Sequence, residues 1–487
     1  MNESTRFLDP LDKPCPTRPN YQAPQRPLPS FKLALFVMCM IIGVTVTGIS
    51  VLGVDIQVLL LISLTFIFLV AKCMKFDFED ILEGMSKTVK ETTPALFIFF
   101  MIGIVIGSWM LSGTVPAIIY YGLRLIDDPR MFLPIGLLTC SLTSLATGTS
   151  WGTMGTVGVA LMGMGAGLGY SPGLTAGMVI SGAYLGDKMS PVSDTTVLAA
   201  ASVNTDLYDH IKSMAYITTP AYMIVFAAFC FIGFNFDASL TNREQIDEII
   251  RTLGETFKFG PLVFIPMILF LCMSAAKIHA IPTMLSGSIV AVIIAMLYQD
   301  VGLVTALKAL NDGAVFSTKN ELVNTLLNRG GIQSMMWSFS LAFIAIALGG
   351  SLERMGILKA LVANAIAKIS NMGLVSTAAI ATTYLFCAAM GEVYLAIVLV
   401  GSLYKEEFDK KGLKRSMLSR HLEEGGTLME VFVPWSTGAV FIISTLGVSV
   451  FDYGAWALLN WINPLLSIIF SFLGLCILRQ QQKKAFA

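Results

Sequence analysis

Long apolar segments follow one another along this chain and are separated by polar ones. Runs of about 20 apolar residues recur from one end to the other, which is the length that crosses the hydrocarbon core of a bilayer. Lipid cannot satisfy backbone hydrogen bonds, so such runs must form helices or a closed barrel. The alternating pattern of barrel strands is absent. The sequence therefore predicts an all-α polytopic membrane protein with about 10–12 transmembrane helices plus broken or re-entrant segments.

Twelve stretches are long and apolar enough to be predicted spans, although several are interrupted. They are 33–54, 56–72, 94–112, 131–166, 173–201, 213–234, 259–277, 281–298, 334–352, 374–400, 431–449 and 455–478. The stretch 131–166 carries glycines among threonines, at Gly148, Gly152, Gly155 and Gly158. This pattern fits either a re-entrant hairpin or a kinked span.

The spans divide the chain into five parts. Residues 1–30 are polar and proline-rich, which predicts a disordered tail. The predicted membrane repeats are 31–235 and 259–478, joined by an acidic connecting loop at 236–258 and followed by a short tail at 479–487. Lys and Arg concentrate in both tails, after the second span and in the segment 403–420. By the positive-inside rule, both termini are predicted to be cytoplasmic and the acidic loop external.

An internal repeat relates the two halves. Small residues recur at an offset of 243 positions: Gly107-Ser108 with Gly350-Ser351, Gly113 with Gly356, and Gly148 with Gly391. Carboxylates recur at a spacing of seven: Asp187 with Asp194, and Glu423 with Glu430. Two halves with matching interruptions are typical of a secondary transporter.

Composition excludes several classes of protein. The 487 residues are 55% hydrophobic and 13% charged, with a formal net charge of zero, whereas soluble domains are about 25% charged. There is no basic field for nucleic acid. The eight cysteines form no CxxC pair, so neither a disulfide framework nor a zinc site is predicted. No HExxH motif occurs, and we predict neither an enzyme nor a bound cofactor.

The segment 186–196 places charges between apolar flanks. It contains Asp187, Lys188 and Asp194 within eight positions. An ionised residue at the bilayer centre costs about 2.5–3.5 kcal/mol, so the cluster must face protein, water or an ion. Pro191 removes a backbone donor and leaves a carbonyl free one turn earlier. Carboxylates and main-chain oxygens would therefore lie together at membrane depth.

Oxygen-rich, partly anionic segments suit hard cations, and unwound backbone near the midplane is where transporters coordinate sodium. We predict Asp187 and Asp194 as metal ligands, with Asp187 binding either a proton or sodium. Lys188 is predicted to compensate charge. The remaining predicted ion-binding residues are Glu392, Thr149, Ser150, Ser193 and Thr195.

A structural interpretation stays open for the same residues. Asp187 and Lys188 could pair at a helix end, while Ser193 and Asp194 cap the next helix. The hydroxyls of the segment 147–153 could ease close helix packing.

The second half carries a parallel set of polar residues. Glu392 interrupts the apolar run 374–400. The other candidates flank a glycine pair and a Pro-Trp pair, and they are Glu424, Ser436 and Thr437. Glu423 fits the end of a helix equally well, and His421 beside it is a candidate pH sensor.

At these motifs the chain resembles the NhaC family of sodium/proton antiporters. The resemblance is carried by 148–153 (GTSWGT), 186–196 (GDKMSPVSDTT) and 434–437 (PWST), and it extends over about residues 30–478. The second-half motif at 423–426 (EEGG) departs from the more Asp- and Asn-rich version expected of the family.

The resemblance implies two inverted repeats, a mobile transport domain against a scaffold domain, and a homodimer in the cytoplasmic membrane. It also implies that sodium and protons are the transported species. One branch of the family exchanges sodium and lactate for protons and malate, so a small organic anion remains an alternative partner.

Overall fold

The computed structural model describes residues 28–125, 128–191, 193–236, 243–276, 278–362, 369 and 371–479. Most of the predicted N-terminal tail and nearly all of the C-terminal tail lie outside these residues. Regular structure in the described ranges is helical, apart from one antiparallel bridge between Leu413 and Arg479.

The helices of the first half are α1 Phe31–Ser50, α2 Ile56–Cys73, α3 Phe78–Leu111, α4 Thr114–Leu125, α5 Phe132–Thr147, α6 Ser150–Thr153, α7 Val159–Leu168, α8 Pro172–Met189, α9 Asp194–Ser202, α10 Leu207–Phe234 and α11 Arg243–Thr256. Those of the second half are α12 Ile265–Ala275, α13 Ala280–Leu297, α14 Leu303–Asp312, α15 Glu321–Leu327, α16 Met336–Arg354, α17 Ile357–Val362, α18 Met372–Met390, α19 Val393–Lys410, α20 Arg415–Gly425, α21 Thr437–Leu446, α22 Val450–Tyr453 and α23 Leu458–Phe472. A π-helical turn, Met154–Gly158, joins α6 to α7.

Eight helices among the described residues are long and apolar enough to cross a membrane, and the number rises to eleven if each of three bent pairs is one span. The bent pairs are α11 with α12, α20 with α21, and α22 with α23. The predicted all-α polytopic membrane fold is confirmed. The inverted orientation of the repeats and the division into transport and scaffold domains stay predictions.

Two regions differ from the predicted pattern. The predicted connecting loop contains the amphipathic helix α11, which packs on α4 and buries Ile249 and Leu253. Helix α3 begins 16 residues before the predicted span 94–112, because its charged first turns find partners. There Asp80 is buried and accepts a hydrogen bond from Arg354 at 3.1 Å.

The first interruption recurs in both halves with the same backbone geometry. Helix α5 ends at left-handed Gly148 (φ 71°), and extended Thr149 then caps α6. Helix α18 ends at left-handed Gly391 (φ 66°), and extended Glu392 then caps α19. A left-handed residue followed by an extended one breaks a helix sharply. The interruption predicted in 131–166 thus lies at residues 148–149 and has its counterpart at residues 391–392.

The second interruption follows the same offset of 243 residues. Ser193 precedes α9, and Ser436 precedes and caps α21. Their alignment pairs Asp187 with Glu430, and Asp194 with Thr437. The carboxylate spacing of seven is therefore out of register with the structural repeat.

Close helix contacts also repeat. A methyl group added at Gly182 of α8 would lie 2.7 Å from the Leu137 carbonyl oxygen of α5. One added at Gly425 of α20 would overlap the Ile380 carbonyl oxygen of α18. Each contact pair is displaced from the other by 243 residues. The missing side chains let α8 and α20 lie directly on the two broken helices.

Gly425→Ala is therefore expected to destabilise the protein by about 1–3 kcal/mol, because the added methyl meets backbone rather than a flexible side chain. Thermal unfolding in detergent, followed by size-exclusion chromatography, measures this loss. Gly43→Ala in α1 is the matched control, since nothing lies within 4 Å of the added group. Equal stability of the two variants would contradict the proposed close packing.

Candidate ion-binding site

Asp187 lies in the last turn of α8, where the two interruptions of the first repeat meet. Its side chain is buried, and its two carboxylate oxygens each accept a hydrogen bond of 2.6 Å, one from the Ser150 hydroxyl and one from the Ser193 hydroxyl. Gly186 lets this end of α8 lie close against α5, because any side chain at position 186 would overlap the backbone at Leu145 of α5. The sequence thus brings a buried carboxylate onto both helix breaks.

The other two hydroxyls predicted for this site, those of Thr149 and Thr195, form hydrogen bonds with other groups. Thr149 accepts a hydrogen bond of 3.2 Å from the Gly152 amide, so its side chain caps α6. Thr195 lies 3.1 Å from the Ser193 hydroxyl and joins the site through it. Thr196, which was not predicted, donates to the Lys188 carbonyl at 3.0 Å. The Ser150 and Ser193 hydroxyls thus contact the Asp187 carboxylate, whereas those of Thr149 and Thr196 contact the backbone.

Asp194 does not share the buried position of Asp187. It is the exposed first residue of α9, and it accepts a hydrogen bond of 2.8 Å from the Tyr394 hydroxyl. Its charge nevertheless acts on Asp187 electrostatically. Within the described ranges, no group of three or more His, Cys, Asp or Glu side chains is placed to hold a metal ion. Of the two predicted metal ligands, Asp187 is thus buried and Asp194 is exposed.

Glu392 is fully buried at the interruption of the second repeat. One carboxylate oxygen caps α19 by accepting a hydrogen bond of 2.9 Å from the Leu395 amide. Its other oxygen, Oε1, has no hydrogen-bond partner among the described residues. Glu392 takes the place in this repeat that Thr149 has in the first.

Glu430 is a buried carboxylate that the site prediction omitted. It accepts a hydrogen bond of 2.9 Å from the Tyr184 hydroxyl, while its oxygen Oε2 has no partner among the described residues. It lies 243 residues after Asp187, so carrying the glycine offset onto the carboxylates would have found it.

The predicted residues Ser436 and Thr437 lie beside Glu430. The Ser436 hydroxyl donates to the Glu430 carbonyl at 2.7 Å and accepts from the Ala439 amide at 3.1 Å. The Thr437 amide donates to the Gly391 carbonyl at 2.8 Å, which ties α21 to the other break. The Thr437 hydroxyl itself has no partner in the described part of the chain.

Lys188 is fully buried and turns towards a separate cluster of charges. Its ammonium group donates to the Asn463 side-chain oxygen at 3.3 Å, and Asn463 donates onward to Thr218 at 2.9 Å. Its acidic neighbours in electrostatic terms are Glu424 and Glu423. The carboxylates that act on Lys188 thus belong to the second repeat.

Glu424 is held within this cluster. Its oxygens lie 2.9 Å from His421 Nδ1 and 3.7 Å from Arg420 Nε, and all three side chains are fully buried. Arg420 belongs to the basic segment 403–420 that the sequence predicts to be cytoplasmic, and its side chain is fully buried. Its guanidinium lies inside the protein, because Glu424 and backbone carbonyls receive it.

Glu423 interacts electrostatically both with Asp187 and with the cluster around Lys188. It is fully buried, and the Thr195 and Thr427 hydroxyls approach it without reaching hydrogen-bond geometry. Its charge acts on both Lys188 and Asp187. Glu423 does lie in the last turn of a helix, α20, as one of the two interpretations of the sequence has it, and it is buried there.

The two repeats also grip each other across the site. The indole ring of Trp151, just after the first break, stacks on the Phe441 ring of α21 at a centroid distance of 4.4 Å and an angle of 9°. Tyr394, the residue 243 positions later, bonds to Asp194 at the start of α9. Each break thus contacts the short helix of the other repeat; below we call this pair of contacts the interlock.

Interrupted helices lined by buried carboxylates and hydroxyls, inside a bundle of membrane-spanning helices, define a secondary transporter for cations. The chain belongs to the Na+/H+ antiporter family, whose model matches residues 27–203 and 182–475.

Relatives match this chain over most of their length. It is 35% identical over 425 residues to the Na(+)/H(+) antiporter NhaC of Alkalihalophilus pseudofirmus, covering 87% of this chain and 90% of the relative. It is 33% identical over 419 residues to the malate-2H(+)/Na(+)-lactate antiporter of Bacillus subtilis, covering 86% and 89%. It is 34% identical over 414 residues to NhaC of Bacillus subtilis, covering 85% and 91%.

Proposed function

We propose that this protein exchanges sodium for protons across the cytoplasmic membrane by alternating access. One observation carries the proposal: Asp187 is buried at the meeting of two helix breaks, with a serine hydroxyl on each carboxylate oxygen. Membership of the Na+/H+ antiporter family and the similarity to NhaC proteins support it.

Competition for one carboxylate supplies the mechanism. A buried carboxylate needs a compensating charge, and a proton or a sodium ion can provide it. The Ser150 and Ser193 hydroxyls can donate to Asp187 while their oxygens face a cation. Since one occupant displaces the other, exposing the site alternately to the two sides converts competition into exchange.

The proposal also covers the orientation of the protein in the membrane and its oligomeric state. The Lys and Arg distribution supports cytoplasmic termini. The family resemblance supports a homodimer in the cytoplasmic membrane.

Purified protein in liposomes tests the activity directly. An outward sodium gradient is expected to acidify the lumen, as reported by a trapped pH dye, without any organic acid present. Potassium gradients of equal size provide the ionic control. Proton movement that ignores the sodium gradient would refute the proposed exchange.

Exchange of small carboxylates is the second candidate, because one similar protein is named a malate-2H(+)/Na(+)-lactate antiporter. Two buried cationic side chains, Lys188 and Arg420, are the groups here that suit an organic anion. Uptake of labelled lactate or malate into the same liposomes separates the candidates. Sodium-coupled uptake would establish the second candidate, whereas sodium-driven proton flux without uptake supports the first.

Ser193→Ala is expected to raise the sodium concentration needed for half-maximal exchange by about tenfold. The change removes a donor to charged Asp187, and such hydrogen bonds contribute about 1.5–3 kcal/mol. Without that donor, the protonated carboxyl is favoured over the sodium-bound one. Sodium titration of proton flux measures the shift, with Ser402→Ala on the exposed face of α19 as the control. An unchanged half-saturation would exclude Ser193 from the site.

A further inference from the structure

The break of the second repeat places a carboxylate where the first repeat places Asp187. Glu430 lies 243 residues after Asp187, and its carboxylate accepts a hydrogen bond from Tyr184 of the first repeat. Glu392 lies at the adjoining break, with its backbone in the same conformation as Thr149. The second repeat therefore brings two carboxylates to its interruptions.

Three buried oxygens at this place have no hydrogen-bond partner in the described part of the chain. They belong to Glu392 (Oε1), Glu430 (Oε2) and Thr437 (Oγ1), whose exposures are 0%, 3% and 1%. Buried polar atoms are almost always paired, so three unpaired acceptors in one place indicate a missing partner.

Backbone contacts hold these side chains together. The Thr437 amide donates to the carbonyl of Gly391, the residue before Glu392, at 2.8 Å. At the next residue, Gly438, an added methyl would lie 2.6 Å from each Glu430 carboxylate oxygen. The start of α21 therefore adjoins the Glu430 carboxylate and the backbone directly before Glu392.

The charge at this place is uncompensated by protein cations. The charged groups that act most on Glu430 are Glu392, Asp187 and Glu423, all acidic. Neither Glu392 nor Glu430 forms an ion pair in the described ranges. The buried cation Arg420 pairs with Glu424, and Lys188 interacts electrostatically with Glu424 and Glu423. Neighbouring buried carboxylates of this kind require a bound cation or a proton.

We propose that Glu392, Glu430 and Thr437 form a second cation-binding site, which takes sodium or a proton. The inference rests on the proposed exchange and extends it: each repeat carries one site, and the protein binds two sodium ions at saturation. The ligands are all oxygens, which suits a hard cation such as sodium. Glu392 thus belongs to this second site rather than to that of Asp187.

Equilibrium binding of 22Na+ to the purified full-length protein at alkaline pH tests the count. Wild type is expected to bind two ions per chain, and Glu430→Gln one. Asp187→Asn is also expected to bind one, because it removes the other site. Glu255→Gln, which changes a side chain that is 71% exposed, should keep two. A wild-type count of one, or a count of two in Glu430→Gln, would overturn the second site.

Thr437→Val decides the question if Glu430→Gln does not fold. Valine matches threonine in shape and keeps the amide bond to Gly391, but it removes the unpaired hydroxyl. We expect one of the two sodium ions to bind about tenfold more weakly, with the other unchanged. Two unaltered affinities in this variant would overturn the proposal.

The ion count and the exchange activity fail separately. Two bound sodium ions without sodium-driven proton flux would refute the exchange and leave the second site standing. Sodium-driven flux with one bound ion would support the exchange and remove the second site.

Discussion

Asp187→Asn is expected to reduce sodium-driven proton flux to that of empty liposomes. Asparagine has nearly the same shape as aspartate, but it neither carries a charge nor exchanges a proton at neutral pH. The Ser150 and Ser193 hydroxyls can rotate to meet an amide, so the fold should survive. The variant separates the ionisable group from the packing around it.

Asp300→Asn provides the matched control for this result. Asp300 is 74% exposed and has a positive φ of 58°, which asparagine accepts as readily as aspartate. Its flux is expected to equal that of wild type. Sodium-driven proton flux retained by Asp187→Asn would show that the competing carboxylate lies elsewhere.

Glu424→Gln is expected to lower stability by about 3 kcal/mol, because breaking a buried ion pair leaves its partner charge without compensation. Here the partner is Arg420, which is fully buried within 3.7 Å of Glu424, with Lys188 acting on the same carboxylate. Thermal unfolding in detergent measures the loss.

The exposed pair of Arg251 and Glu255 gives the comparison, since surface ion pairs contribute about 0–1 kcal/mol. Glu255→Gln should therefore unfold close to the wild-type temperature. The double variant Arg420→Gln/Glu424→Gln is expected to be less destabilised than the sum of its single changes. Full additivity would argue against a direct pair.

The membrane fold and the position of the candidate site at Asp187 could be predicted from the sequence. Apolar runs of bilayer length indicated the spans, since lipid leaves the backbone few alternatives. Charges within an apolar segment indicated the site, and the structure buries Asp187 with Ser150 and Ser193 around it. Local patterns sufficed because these features depend on neighbours in the sequence.

What the sequence did not reveal depends on partners far along the chain. Hydropathy treats each charge alone, so it does not show that Arg420 is buried against Glu424 and the backbone carbonyl of Ser213, 207 residues away. Helix α3 extends beyond its apolar part because Asp80 meets Arg354, 274 residues away. Glu430 is absent from the predicted site because the offset of 243 residues was applied to the glycines and not to Asp187.

The interlock has a consequence for ion leakage. Trp151 is stacked on Phe441, and Tyr394 is bonded to Asp194, so each half of the molecule contacts the short helix beside the other half's break. Neither half can move by itself without first breaking one of these two contacts. We therefore expect the two helix breaks to move together, which would suppress leakage of a single ion species.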